Sequence, residues 1–380
     1  MARNLTRRDL LKISGAAAAG ALLGPRLTPA AAALPTAPVA VGACKSYGAP
    51  AAAALNQLFD KLGGLAPLVK GKTVAIKVNL TGGPLPFQGR DAGRTIHPHP
   101  DMVLATCQAL ARAGARRIRL LEGWPPEKST PDFLGACKWD LKALGALPAK
   151  VEFENTNNLG SFKTYSLLKP RHGGFAFPGF LLNRSYEETD VLVSLAKLKN
   201  HYTAGVTLAL KNMFGVAPSS FYGDDAGSER AGSPRGKIFH AGSEQPPSPA
   251  PAELDRRGSR DAGYRVPRIT IDLVNSIHPI NLSIIDGIES VQGGEGPWVQ
   301  GLRIVEPGLL IVGLNPVCSD AVCTALMGYD PAAGRNAAPF YHGDNMLKLA
   351  ESAGLGTADL GRIEVRGLPI KQAMFRFEPR

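Results

Sequence analysis

The chain has 380 residues, 44% of them hydrophobic and 20% charged, which suits a globular protein of one large or two ordinary domains and excludes a disordered one. Its formal charge is +11, yet aromatic residues make up only 7% and are not interleaved with the basic ones, so the pattern argues against nucleic-acid binding. Five cysteines, Cys44, Cys107, Cys137, Cys318 and Cys323, form no CxxC or metal-knuckle spacing; they read as buried free thiols and exclude an iron–sulfur cluster.

At the N-terminus, Thr6-Arg7-Arg8-Asp9-Leu10-Leu11-Lys12 leads into a mildly apolar Ala/Gly-rich run over 13–23, and small residues at 30–33 offer a cleavage point. This resembles a twin-arginine export signal, with Leu10 where Phe is commoner. The run is too short for a membrane anchor, and no other segment reaches transmembrane length. The expectation is a signal peptide over 1–33, a transient partnership with the twin-arginine translocase, and a mature chain over 34–380 in the periplasm or cell exterior. Cleavage near Ala33 removes five basic residues and Asp9, lowering the charge to +7. That surplus fits an anionic small ligand or an anionic surface.

The mature chain reads as a single α/β domain with a mostly parallel sheet flanked by helices. A strand over 39–43 and a helix over 50–62 come first. The run 73–80 then alternates, with Val74, Ile76 and Val78 on one side and Lys77 and Asn79 on the other. His99-Pro100 starts a helix with Pro at its first position, Gly114 ends it, and 117–122 is the next strand, so the segment is a βαβ unit with a parallel connection. Residues 151–183 form a β-rich excursion. From 218 to 265 the composition shifts to Gly, Ser, Pro and charge, which predicts a long flexible surface insertion or lid. A helix near 269–277, strands over 281–286 and 309–314, an Asn315-capped helix and a last strand over 362–366 complete the chain.

The most informative block lies over 190–215. Val191-Leu192-Val193-Ser194-Leu195-Ala196 is a strand buried on both faces, and Lys197, Lys199 and His201 follow at a spacing of two, all facing one way if the chain stays extended. A second apolar run carries Lys211 and Asn212 into Met213-Phe214-Gly215. Buried lysines need a partner or a bound anion. In open α/β sheets ligands sit beyond the carboxyl ends of strands, and Lys77, Asn79, Glu122, Lys197, Lys199 and Asp286 all fall at such ends. Two readings follow: one shared site, or structural ion pairs between neighbouring strand ends.

LAKLKNH followed by LALKNMFG resembles the paired lysine motifs of the domain-of-unknown-function 362 family of bacteria and archaea. Lys77-Val78-Asn79, His99-Pro100, Leu121-Glu122-Gly123, Ile285-Asp286-Gly287, the 293–297 Gly-rich loop and Asn315-Pro316-Val317-Cys318-Ser319-Asp320 follow the family order over about 70–330. The resemblance implies a fold and a residue set but no reaction. This chain departs from it at Asn315, where Asp is frequent, at Gln292, where an acid is frequent, and in lacking the ferredoxin-like cysteine clusters of some relatives.

Lys77, Lys197, Lys199 and Lys211, with Asn79, Asn212, Asp286 and Glu289, form the expected ligand-binding set for a phosphate, a carboxylate or an anionic cofactor. His201, Glu122 and Lys199 are the candidate proton-transfer groups. His97 and His99, two apart, would face one divalent metal ion in extended chain, with Glu122, Asp286 or His201 completing its shell; alternatively His99 only caps its helix. The Gly-rich loop lacks both the dinucleotide and P-loop fingerprints. Two functions remain open: an exported enzyme acting on an anionic small molecule, with or without a metal, and a non-catalytic binder or carrier of an anionic cofactor.

Overall fold

The computed structural model describes residues 33–378. Eight strands form the main sheet: β1 (Val39–Ala43), β2 (Thr73–Val78), β3 (Arg117–Glu122), β4 (Lys150–Asn155), β5 (Val191–Lys197), β6 (Ile280–Gly287), β7 (Leu309–Gly313) and β8 (Val365–Gly367). Their order is β8-β1-β7-β6-β5-β2-β3-β4. Every neighbouring pair is parallel except the two made by β7, which runs against β1 and β6. The carboxyl ends of the other seven strands therefore share one edge of the sheet.

Both faces are covered, which explains why β5 is apolar without alternation and buried along its whole length. Val191, Val193 and Leu195 pack under α1 (Ala49–Lys61) and α2 (Pro100–Arg112). Leu192 and Ala196 face the other way, against α3 (Leu208–Asn212), α4 (Ala262–Ser276) and α5 (Pro316–Leu326). Small antiparallel pairs decorate this frame: Ser166–Leu168 with Phe180–Leu182, Asn200–His201 with Gly205–Val206, and Ser290–Gln292 with Arg303–Val305. All five cysteines are free and buried. No helix among the described residues is long and apolar enough to cross a membrane.

Residues 218–265 have the irregular backbone their composition predicts, and parts of the segment pack into the core. Ile238, Phe239 and Ala250 join the core, and Arg265 forms a buried ion pair with Glu253. Gly236–Ala241 is a π-helical turn, in which the His240 ring reaches back to the Arg235 carbonyl at 3.1 Å. This turn brings the insertion to the strand-end edge.

Candidate functional site

Strand register sorts the strand-end lysines onto opposite faces. Lys77 pairs in register with Ser194, so it shares the α3 face, while Lys197, three residues further along β5, points to the α2 face. On the α3 side, Lys77 Nζ lies 3.0 Å from both oxygens of Glu122 and donates to the Val78 carbonyl at 2.6 Å. Glu122 also accepts from the amides of Leu80 and Gly123, and Asn212 ties Lys77 to Ser194. Burial lowers the Lys77 pKa, with Glu122 pushing back. The network is closed, and both oxygens of Glu122 are engaged.

On the α2 side, Lys197 and Asp286 are fully buried and 2.9 Å apart. Lys197 also donates to the Gly93 carbonyl, and Asp286 accepts from the His99 amide and Tyr47 hydroxyl. Burial likewise lowers the Lys197 pKa against the pull of Asp286. The His99 ring stacks on Tyr47 at 3.8 Å, and its Nδ1 caps α2 by accepting from the Asp101 amide. His97 is engaged elsewhere, with Nε2 2.9 Å from the Thr81 carbonyl. The expected His97/His99 metal pair is thus not assembled, because each ring serves its own backbone segment. Among the described residues no group of three His, Cys, Asp or Glu side chains is arranged to hold a metal ion. Glu289 binds Arg90 and Arg94 at 2.8 and 2.6 Å and belongs to an arginine pair. Asn79 holds its own turn through the Thr81 amide.

Lys199 and Lys211 differ from both of these pairs. Lys199 is fully buried, and its Nζ donates to two carbonyl oxygens, of Ile96 at 2.9 Å and Glu295 at 2.8 Å. Lys211 Nζ sits 4.0 Å over the Phe214 ring. The half-buried Arg235 donates to the Ala217 carbonyl and the Asn157 amide oxygen, both neutral acceptors. Among the described residues none of these three cations has a carboxylate in ion-pair contact. Burial pulls both lysines down to about 7; Glu295 opposes this, while their cationic neighbours reinforce it. Burial also lowers Arg235 to about 10.

His201, His240 and Glu295 stand around the two lysines, and Glu122 and Asp224 act on Arg235. The His201 Nδ1 accepts from the Ala204 amide at 3.3 Å, and burial with the Lys211 charge holds the ring neutral, near 3. Burial works against ionisation of Glu295, but His201, the Tyr202 amide and the Trp298 indole outweigh it and hold the carboxyl at about 2. His240, from the insertion, packs edge-on to Phe214. Asp320 on α5 positions Lys211: its oxygens accept from the Ala209 and Leu210 amides at 2.9 and 2.8 Å, fixing the first turn of α3. Leu208 there has φ of 48°, an uncommon conformation for a residue with a Cβ.

Arg235, His240 and Glu295 did not stand out in the sequence as members of the site. The first two lie in the compositionally biased insertion and the last in a Gly-rich loop, where no periodicity marks a side chain's direction. The only sequence signal was the clustering of lysines across from that loop. A cavity of about 110 Å³ opens beside His99, lined also by Asp91, Gly93 and Cys137, and none of the unpaired cations lines it. A larger apolar hollow of about 270 Å³, lined by Phe59, Leu282 and Leu314, lies at the opposite edge of the sheet.

Residues 4–24 match the twin-arginine translocation pathway signal sequence, so the chain carries a signal for export across the membrane to the periplasm or exterior. A thylakoid-associated protein of Synechocystis sp., sll1697, is 27% identical over 286 residues, covering 74% of this chain and 71% of that protein. Residues 74–325 match the model of the domain of unknown function DUF362. That span holds all four lysines, Glu122, Arg235, Asp286 and Glu295, and the chain belongs to the DUF362 family.

Proposed function

We propose that the exported protein binds an anionic small molecule between Lys199, Lys211 and Arg235. The observation that carries this reading is the contrast at one sheet edge: Lys77 and Lys197 each meet a carboxylate, whereas Lys199, Lys211 and Arg235 meet only neutral acceptors or a ring. Cations recessed from water without a counter-charge are costly, and a bound anion removes that cost. Glu295 acts on the two lysines, while Glu122, already paired with Lys77, and Asp224 act on Arg235 without an ion-pair contact. Catalysis is the second reading. It is favoured by two lysines near 7, a value suited to proton transfer at neutral pH, beside the neutral His201 ring.

Lys211→Met tests the binding reading, because it keeps the apolar stem and the contact with Phe214. The ligand-free variant should melt at or slightly above the wild-type temperature, and the stabilisation that inorganic phosphate gives the wild type should disappear. A variant that phosphate still stabilises as much as the wild type would overturn the proposal. Turnover of an anionic substrate by the purified protein would separate enzyme from binder.

A further inference from the structure

Two large aromatic side chains stand in water beside this cationic cluster: Tyr202 is 51% exposed and Trp298 53%. Both are held in place. The Trp298 Nε1 donates to Glu295 Oε1 at 3.1 Å, and the Tyr202 amide donates to Oε2 of the same carboxylate at 2.9 Å. The Tyr202 ring stacks on His342 at 4.2 Å. The indole rests on a floor of glycines: a Cβ added at Gly82 would come within 2.5 Å of Trp298 Cζ3, and one at Gly296 would also collide with the ring. Those two positions must stay bare for the indole to lie where it does. The carbonyl of Glu295 accepts from Lys199, so one residue ties both rings to the unpaired lysine.

An exposed indole with its N–H satisfied and one side seated on backbone offers its remaining face as a flat apolar surface. Rings of this kind bind planar π-systems by stacking, and they lose little conformational freedom in doing so when already fixed. Resting on the anion-binding reading above, we infer that the ligand is an aromatic anion, a planar ring bearing a phosphate or carboxylate group. Lys199, Lys211 and Arg235 take the acid group, and Trp298 with Tyr202 takes the ring.

Three probes separate the two parts of the site: inorganic phosphate, phenyl phosphate and cyclohexyl phosphate, titrated against the mature protein. Phenyl phosphate should bind about tenfold tighter than inorganic phosphate, the gain expected of one ring stacking on an aromatic side chain. Cyclohexyl phosphate, of similar size but not planar, should gain less. Trp298→Ala should erase most of the phenyl advantage, read as the ratio of phenyl to inorganic phosphate affinity within the same variant, and Trp298→Phe, which lacks the same N–H donor, should restore part of that ratio. Fluorescence gives an independent readout, since Trp124 and Trp139 are only 3% and 7% exposed and Trp298 dominates the solvent-quenchable emission. Phenyl phosphate should alter that emission and inorganic phosphate should not. If inorganic phosphate binds and phenyl phosphate binds no tighter, the aromatic ligand is refuted while the anion site stands. The same holds if Trp298→Ala and Tyr202→Ala both keep the advantage. Failure of both phosphates to bind the wild type overturns the two proposals together.

Discussion

Lys199 donates to the main-chain oxygen of Glu295 at 2.8 Å, while the Glu295 carboxylate is taken up by the Tyr202 amide and the Trp298 indole. The hydrogen bond satisfies the donor without neutralising the charge. Two residues further back in the same strand-end pattern, Lys197 meets Asp286 directly. The sheet edge therefore carries two kinds of lysine, one committed to structure and one with charge to spare.

That division predicts opposite responses to similar substitutions. Lys77→Met strands Glu122, whose carboxylate is buried with its oxygens aimed at the missing ammonium. Breaking such a buried pair by removing one partner should cost about 3–5 kcal/mol. Lys211→Met should leave the ligand-free protein at least as stable as wild type, because it removes a buried ammonium that has no carboxylate in ion-pair contact. Urea denaturation of the two mature variants compares them directly. Equal midpoints would mean that the Lys77–Glu122 pair contributes nothing to holding the strand ends.

Asp320 should act on the site without touching a ligand. Asp320→Ala leaves the Ala209 and Leu210 amides without acceptors in the core, at about 1–3 kcal/mol each. It also frees the turn that aims Lys211. Stability should fall and phosphate affinity should weaken, while Asp320→Asn, which keeps one acceptor, should recover part of both. An alanine variant as stable as wild type, with unchanged phosphate binding, would remove Asp320 from this role.

Much of the frame was legible in the sequence because it rests on local patterns. The run over 191–196 is long and apolar enough to be a central strand, His99-Pro100 opens its helix as expected, and the Asn315 cap accepts from the Val317 and Cys318 amides. Which lysines share a face was not legible, since it depends on how β2 and β5 pair. The register that sets Lys77 beside Ser194 puts it on the opposite face from Lys197. The insertion's contacts were not legible for a similar reason. Ser, Pro and Gly predict irregular backbone well, but they say nothing of Ile238 and Phe239 reaching the core and carrying Arg235 and His240 to the site.

The export signal makes its own prediction. Residues 4–24 match the twin-arginine signal, in which Arg7 and Arg8 form the pair. A guanidinium pair is not replaced by two ammonium groups where its planar fork is recognised. Changing both to Lys should leave uncleaved precursor in the cytoplasm, detected by fractionation and blotting. Undiminished mature protein outside the membrane would contradict the assignment of this pair as the signal.

The pH dependence tests the unpaired lysines most directly. Burial lowers Lys199 and Lys211 from 10.5 in the unfolded chain to about 7 in the folded one. Between those values the unfolded state binds more protons, so the lysines' contribution to stability rises with pH; below about 7 the full penalty remains. Asp320 titrates in the same region with the opposite sign, because burial raises its carboxyl to about 8 and its contribution is lost as pH rises toward that value. Glu295, at about 2, stays ionised throughout, and His201, near 3, stays neutral. Lys211→Met keeps Asp320, so the difference between wild type and variant isolates the lysine. Without ligand, wild type should gain stability relative to the variant on going from about pH 7 to about pH 9. Sulfate, whose charge is fixed over this range, favours the protonated lysines. It should raise the wild-type melting temperature most near pH 6 and progressively less toward pH 9. A sulfate effect of the same size at both ends would mean that the anion is held elsewhere.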